Sequence, residues 1–286
     1  MTTDGDRSPK TARGGRSREL VVAGALALVL VASAALAAPL VDARPAYEIP
    51  VDYQSSASDL DAADGDAWNE VPAAGVPLSS AGAGVPNADD TTVEDARVEV
   101  ARTNDRLYVR LSWADATRDA NDTGIREFGD AVAFQVPANE SARPPIAMGS
   151  TSNMVNVWYW SAAGSTEELL AGGPGSTTAF EASALASDAT HADGRWTVVL
   201  SRPLQTDRAN ATAISTETDV DVALAVWNGS NMERSGQKAT SEWYYLALGP
   251  DSGGPPYEAI LWTVAGLAIV FTTLVTVEGV RRTRGD

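Results

Sequence analysis

The sequence predicts an all-β protein in which an antiparallel β-sandwich lies between two single transmembrane helices. Seven runs in the middle of the chain alternate apolar and polar residues, as half-buried strands do. Turns rich in Gly, Asp, Asn and Ser separate these runs, which is typical of a sandwich. Two apolar segments without charged residues flank this region, and each is long enough to form a helix that crosses a bilayer.

The first apolar segment, residues 20–41, is predicted to be a transmembrane anchor. It is rich in Leu, Val and Ala, and it follows a mostly basic segment, residues 1–19. A cleaved signal peptide is the alternative, because residues 32–39 offer the small side chains at which signal peptides are cut. Under either interpretation the domain that follows is exported.

The predicted exported domain, residues 45–248, contains the alternating runs. Residues 103–105, Thr-Asn-Asp, predict a hairpin turn between the first two runs, and residues 165–171 are compatible with a short helix. Residues 55–69 and 78–90 are expected to be polar surface loops. The seven predicted strands are residues 96–102, 106–113, 131–136, 154–160, 194–200, 219–227 and 242–248.

The C-terminal part predicts a linker, a second transmembrane helix and a short tail. Residues 249–258 are rich in Gly and Pro, residues 259–277 are apolar, and residues 278–286 contain three arginines. Basic residues lie on the outer side of both apolar segments. By the positive-inside rule, both termini are expected in the cytoplasm, with the main domain on the extracytoplasmic side of the cell membrane.

The charge balance excludes one class of partner. The net charge is −17, from 38 acidic and 21 basic residues, so the phosphate backbone of a nucleic acid would be repelled. Only two of the basic residues are lysines, Lys10 and Lys238. Many acids with few lysines are expected of a protein adapted to high salt, where repulsion between carboxylates is screened.

Cysteine and histidine usage restricts the chemistry further. The chain has no cysteine and one histidine, His191. This excludes disulfides, thiolate catalysis, iron–sulfur clusters and histidine-rich metal centres within the chain. A Ser-His-Asp triad would have to use His191, which lies in a polar stretch and is expected to be a solvated loop histidine.

The soft ligands that remain in the domain are few. Met148 follows two prolines and precedes a glycine in a predicted loop, and Lys238 lies in another loop. Two such loops could converge on one planar cofactor. Each residue also has an ordinary interpretation, the methionine as a gap-filler and the lysine as a solvated charge. Met154 and Met232 are the other methionines of the domain.

Six segments, taken in order, resemble one family. They are Trp-x-Asp at 113–115, Phe-Gly-Asp-Ala-Val-Ala-Phe at 128–134, Pro-Ile-Ala-Met-Gly at 145–149, Val-Asn-Val-Trp-Tyr-Trp at 155–160, Ala-Val-Trp-Asn-Gly at 225–229 and Arg-Ser-Gly-Gln-Lys at 234–238. This set is similar to the haem b-binding γ subunit of ethylbenzene dehydrogenase and related type II members of the dimethyl sulfoxide reductase family. The resemblance covers residues 51–248.

The resemblance implies a β-sandwich that holds one haem b between a methionine and a lysine. The matching positions are Met148 and Lys238, with Met154 and Met232 as alternatives to Met148. Family members exchange electrons with a molybdopterin-dependent catalytic subunit through an iron–sulfur subunit. Since both axial positions of the iron would be filled, the resemblance implies electron transfer and not catalysis. The two anchors depart from the soluble γ subunit, so a membrane quinol oxidase or a small electron carrier is a further candidate partner.

Two other functions fit the same sequence. A haem-free extracellular carbohydrate- or ligand-binding sandwich would stack exposed Trp and Tyr rings on sugars. It predicts that Met148 and Lys238 are unrelated surface residues. A structural cell-surface protein would be modified at the sequons that begin at Asn121, Asn139, Asn210 and Asn228. The haem hypothesis instead predicts that the methionine sulfur and the lysine nitrogen face each other at roughly 4–5 Å, the length of two metal–ligand bonds.

Overall fold

The computed structural model describes residues 47–139, 143–208 and 210–248, together with residues 265, 266, 269, 272, 273, 276 and 279–284. The predicted N-terminus 1–19, anchor 20–41 and linker 249–258 lie outside these residues. Within the predicted second anchor, 259–277, and the tail, 278–286, the described residues are helical. No helix in the described part of the chain is long and apolar enough to cross a membrane.

The described domain is built from fourteen strands and two short 3-10 turns. The turns are Asp66–Asn69 and Gly229–Asn231. The strands are β1 (Glu48–Tyr53), β2 (Ala73–Pro77), β3 (Ser79–Ser80), β4 (Asp95–Arg102), β5 (Arg106–Ala114), β6 (Ala131–Pro137), β7 (Val155–Ser161), β8 (Ser165–Ala171), β9 (Thr177–Ala179), β10 (Ala186–Ala192), β11 (Arg195–Pro203), β12 (Val220–Trp227), β13 (Ala239–Thr240) and β14 (Tyr244–Ala247).

The strands form one curled sheet with two halves. Its main path runs β10-β11-β5-β4-β1-β14-β12-β6-β7-β8-β9, with β2 beside β4, and β13 between β12 and β3. The all-β prediction is confirmed. The prediction of purely antiparallel pairing is wrong at β1, which pairs in parallel with β14 through Glu48–Pro50 and in parallel with β4 through Val51–Tyr53. β1 therefore joins the two halves of the sheet.

The main core lies between the two halves. Alternate residues of each strand point into it, including Val98, Leu111 and Val198 from one half and Phe134 and Leu224 from the other, all buried. The seven alternating runs of the sequence correspond to β4, β5, β6, β7, β11, β12 and β14, so those strand predictions are confirmed. Their period of two placed one face of each strand in this core.

Three local predictions are wrong. Residues 165–171 form strand β8 and not a helix, because they pair with β7 on one side and β9 on the other. His191 lies on β10 opposite Trp196 and not in a loop. Residues 55–69 are not a purely polar surface loop, since Leu60 and Trp68 are buried in a second small apolar cluster.

A buried ion pair connects the two halves of the sheet. Arg202 on β11 donates to the Glu168 carboxylate on β8, and also to the Asn156 side-chain oxygen on β7 at 2.9 Å. Arg202 and Glu168 are both 2 % exposed. The second Glu168 oxygen accepts from the Ser183 hydroxyl at 2.8 Å, and the Arg202 guanidinium lies over the Trp158 ring. This group of side chains replaces apolar packing at one part of the core.

Candidate functional site

The first wall of the candidate site is the connection between β6 and β7, which folds back over the outer face of the sheet. The Gln135 side-chain nitrogen on β6 donates to the Ile146 carbonyl at 3.0 Å, and the Trp243 indole donates to the Pro144 carbonyl at 3.1 Å. Both bonds hold the loop against the sheet. The side chain of Met148 packs on the apolar cluster of that face.

The backbone at Met148 has an uncommon conformation. Met148 and the next residue, Gly149, have φ values of 63° and 72°, in the left-handed region. A Cβ atom at Gly149 would lie 2.6 Å from the Asn153 carbonyl oxygen, so only glycine fits there. The Gly173 amide donates to the Met148 carbonyl at 2.9 Å. The methionine therefore sits at a backbone position that the surrounding loops fix.

The second wall is the loop from Asn228 to Lys238, between β12 and β13. The Asn228 side chain accepts from the amides of Ser230 and Asn231 and so caps the 3-10 turn. At the other end of the loop, the Ala81 amide donates to the Lys238 carbonyl at 3.1 Å. Lys238 is thereby held at the start of β13.

The structure brings Met148 and Lys238 together. The Lys238 Nζ lies 3.7 Å from the Met148 Sδ and 4.9 Å from the centre of the Trp227 ring. Burial lowers the pKa of Lys238, because an ammonium group loses hydration there. No carboxylate of the described residues lies within 4 Å of Nζ. The lysine thus faces a thioether and an aromatic ring.

The sheet face beneath these two side chains is apolar and partly built from small residues. The Ala133 and Ala225 side chains are neighbours in the register of β6 and β12. Trp227 and Tyr159 stand at one side with their rings edge to face, 5.8 Å apart. The whole cluster consists of Ala133, Met148, Val155, Val157, Tyr159, Leu169, Ala171, Ala225, Trp227 and Trp243. The site therefore places a thioether and an amine over an apolar part of the sheet, which we call the apolar floor.

The other residues considered from the sequence lie elsewhere or have other contacts. Met232 ends the 3-10 turn with a φ of 54°, and the Met154 carbonyl accepts from the Ala138 amide. The His191 ring lies 2.9 Å from the Asp115 carbonyl oxygen through Nε2 and packs edge-on against Trp196. Among the described residues no group of three or more His, Cys, Asp or Glu side chains is arranged to hold a metal ion. Of the sequon asparagines, Asn228 is buried as a turn cap.

Sequence reasoning missed two buried acids at the loop from Asn228 to Lys238, which we call the lysine loop. Glu233 lies in this loop, and Asp130 contacts it. Asp130 is fully buried and accepts from the Gly229 amide at 2.8 Å, the Asp119 amide at 2.7 Å and the Trp196 indole at 2.8 Å. Burial raises the pKa of Asp130 to about 6, and the Asp115 carboxylate adds to the shift, although the three N–H donors oppose it. Since acids are abundant in this sequence, no pattern singled these two out.

The raised pKa of Asp130 predicts a specific pH dependence of stability. Between pH 4 and 6 the folded state keeps a proton that the unfolded state releases. The contribution of Asp130 to the free energy of unfolding therefore falls as the pH rises through that window. The Asp130→Asn variant is expected to lose that slope, at most about 1.4 kcal/mol per pH unit. Chemical denaturation of both proteins from pH 4 to 7 measures the difference. Parallel curves would contradict the prediction.

The fold and the site define an all-β domain with a half-buried methionine and lysine in contact on one sheet face. Residues 65–184 and 176–239 match the profile described as ethylbenzene dehydrogenase. The chain belongs to the ethylbenzene dehydrogenase family, which confirms the predicted resemblance.

Three relatives and one solved structure are similar to the chain to different degrees. A Haloferax mediterranei protein described as a respiratory nitrate reductase heme subunit is 55% identical over 269 residues, covering 94% of this chain and 98% of its own length. The gamma subunit of chlorate reductase from Ideonella dechloratans is 33% identical, covering 63% and 76%. The gamma subunit of dimethylsulfide dehydrogenase from Rhodovulum sulfidophilum is 32% identical, covering 59% and 66%. A family 9 carbohydrate binding module from Caldicellulosiruptor kristjanssonii, solved with glucose, aligns with a TM-score of 0.42 at 12% identity, covering 73% of this chain and 100% of its own.

Proposed function

We propose that the chain is a b-type cytochrome subunit that transfers electrons to or from a molybdenum-containing reductase. When bound, haem b supplies a one-electron redox centre. Met148 and Lys238 would hold its iron from opposite sides. The contact of 3.7 Å between Sδ and Nζ is the observation that carries this assignment. The two relatives named above as gamma subunits, and the one named as a heme subunit, support the same role.

The donor set fits a haem iron. Two metal–ligand bonds span roughly 4.4 Å. The Met148 sulfur and the Lys238 nitrogen, which lie 3.7 Å apart, would therefore have to move apart by less than about 1 Å to accept an iron between them. Lysine must be neutral to bind a metal. For a lysine with the ordinary pKa near 10.4, loss of the proton at pH 7 costs roughly 4.6 kcal/mol. Burial of Lys238 lowers its pKa and so reduces that cost. The apolar floor, the cluster that contains Ala133 and Ala225, suits the apolar ring of a porphyrin held between the two donors.

The same donor pair supports a non-catalytic role. With Met148 and Lys238 both holding the iron, haem would supply electron transfer and not a binding position for a substrate. A thioether ligand also favours Fe(II) and raises the reduction potential. The subunit therefore relays electrons, and the chemistry on the substrate belongs to a molybdopterin-dependent catalytic subunit.

The route of the electrons and the anchoring of the chain are further parts of the proposal. An iron–sulfur subunit connects the haem subunit to the catalytic subunit, with a membrane quinol oxidase or a small electron carrier as the alternative partner. Residues 20–41 and 259–277 anchor the chain in the cell membrane, with the main domain on the extracytoplasmic side. Their apolar composition and basic flanks support this arrangement.

An absorption spectrum of the full chain, produced with haem available at high salt, tests the cofactor. We expect a sharp Soret band and split α and β bands after reduction with dithionite. A folded chain that takes up no haem would overturn the assignment and favour the haem-free ligand-binding alternative.

The Met148→Leu variant is expected to bind haem more weakly and with a lower reduction potential. Leucine keeps the apolar volume of methionine but has no sulfur donor. A redox titration followed in the α band measures the shift. The matched control is Met232→Leu, which removes a sulfur from the same domain and should leave the potential unchanged. Equal potentials for both variants and the wild type would exclude Met148 as a ligand.

A further inference from the structure

The lysine loop is organised by one buried carboxylate, that of Glu233. Glu233 is 1% exposed, although it lies in a loop of a strongly acidic chain. Its Oε2 accepts from the Asn228 amide at 3.0 Å, and its Oε1 accepts from the Thr92 amide at 3.0 Å. Oε1 also lies 3.3 Å from the Thr92 hydroxyl and 3.2 Å from the Asn231 side-chain nitrogen. Oε2 therefore receives a hydrogen bond from the loop, and Oε1 receives hydrogen bonds from the loop and from the segment before β4.

These bonds fix the conformation of the lysine loop, which starts at Asn228 and ends at Lys238. Trp227, whose ring lies below Nζ, directly precedes Asn228, and Lys238 is the last residue of the loop. Two non-glycine residues in between, Met232 and Ser235, have φ values of 54° and 51°. Such conformations persist only where the surrounding contacts hold them. The Glu233 carboxylate supplies such contacts at Asn228 and Asn231, and the Trp227 indole donates to the Ser235 carbonyl at 3.2 Å.

Nothing in the described surroundings suggests a different use for this carboxylate. Its partners are hydrogen-bond donors of the backbone and of neutral side chains, and no cation of the described residues forms an ion pair with it. It also belongs to no metal-binding cluster within the described residues. A buried carboxylate that is held by backbone and neutral side-chain donors serves the conformation of the loop in which it lies.

We infer that Glu233 is a positioning residue that fixes the Lys238 amine toward Met148, so that the amine remains an iron ligand. This inference rests on the proposed function. Residues that orient metal ligands from outside typically change metal affinity by about 10- to 100-fold when altered. Loss of the Glu233 carboxylate should therefore loosen the lysine and release haem faster.

The test measures haem transfer from the full chain to excess apomyoglobin, together with the low-spin spectrum of the ferric protein. In Glu233→Gln, the amide group would face either the Asn228 amide or the Thr92 donors, so at least one bond is lost. We expect haem loss to become about 10- to 100-fold faster, with part of the iron losing its six-coordinate low-spin signature. Thr92→Val, which removes only a hydroxyl, should produce a smaller change in the same direction.

Two controls separate positioning from general destabilisation. Glu99 is equally buried, at 1% exposed, but pairs with Arg97 and Arg110 on the other half of the sheet. Glu99→Gln should lower stability without changing the haem spectrum. In a Lys238→Leu background, Glu233→Gln should have no further effect on haem loss, because its influence passes through the lysine.

The outcomes distinguish the two proposals. If the wild type is low-spin and depends on Lys238, but Glu233→Gln and Thr92→Val behave like Glu99→Gln, the inference is wrong and the proposed function stands. An unchanged Glu233 effect in the Lys238→Leu background would also overturn it. A wild-type chain without haem would overturn the proposed function, and the inference with it, before any variant is measured.

Discussion

Replacing Lys238 by leucine is expected to abolish six-coordinate haem binding while leaving the haem-free domain at least as stable as the wild type. Among the described residues, the Lys238 amine is the nitrogen donor that contacts the Met148 sulfur, at 3.7 Å. The lowered pKa of Lys238 means that the folded state binds its proton less well than the unfolded state does. Stability of the haem-free wild type therefore rises with pH toward 10.5, and leucine removes this penalty at neutral pH.

The matched control for this prediction is Lys238→Arg. Arginine keeps the positive charge and the long stem, but its guanidinium remains protonated and does not bind a metal. Reduced spectra and chemical denaturation of the three proteins provide both measurements. If Lys238→Arg retained the wild-type low-spin spectrum, that spectrum would not depend on a neutral amine at residue 238, and the lysine would be excluded as a ligand.

Replacing Arg202 by methionine is expected to lower the free energy of unfolding by about 3–5 kcal/mol. The change leaves the buried Glu168 carboxylate without its buried cation, and such unpaired charges are strongly destabilising. Arg208, at 3.4 Å, reaches only the second carboxylate oxygen and is partly exposed. Chemical denaturation at constant high salt measures the loss.

Two further variants show whether the loss comes from the unpaired charge. The double variant Arg202→Met, Glu168→Leu should regain most of the stability, because apolar residues of similar volume replace the pair. Arg143→Met breaks an ion pair with Asp221 that is largely exposed and should change stability by less than about 1 kcal/mol. Equal losses in Arg202→Met and Arg143→Met would contradict the special role of burial.

The strands could be predicted where every second residue is apolar and faces the main core. In residues 106–113 and 131–136 these residues, such as Val109 and Phe134, lie in that core, and both runs form strands although β6 is also buried on its other face. Residues 165–171 contain good helix formers, but pairing on both sides and the buried Glu168 override that local preference. β10 is polar and has no buried face, so its sequence, which includes His191, carried no strand signal.

The methionine and lysine of the site could be predicted from the sequence, but the buried acids next to them could not. Met148 and Lys238 were indicated by the family resemblance, and the scarcity of alternatives agreed with it: the domain offers one lysine, no cysteine and one histidine. Glu233 and Asp130 are two of 38 acidic residues, and only their burial distinguishes them. The parallel pairing of β1 was equally hidden, because the alternation of a strand does not reveal the direction of its neighbour.

The parallel pairing of β1 with β14 has a mechanical consequence. These are the first and last strands of the described domain, they lie side by side, and they run in the same direction. A pull on the two chain ends would draw β1 backward and β14 forward, so the strands would be loaded in shear. The hydrogen bonds between them would then carry the force together and not open one after another. A domain tethered at both ends would in this way resist tension where the chain enters and leaves it.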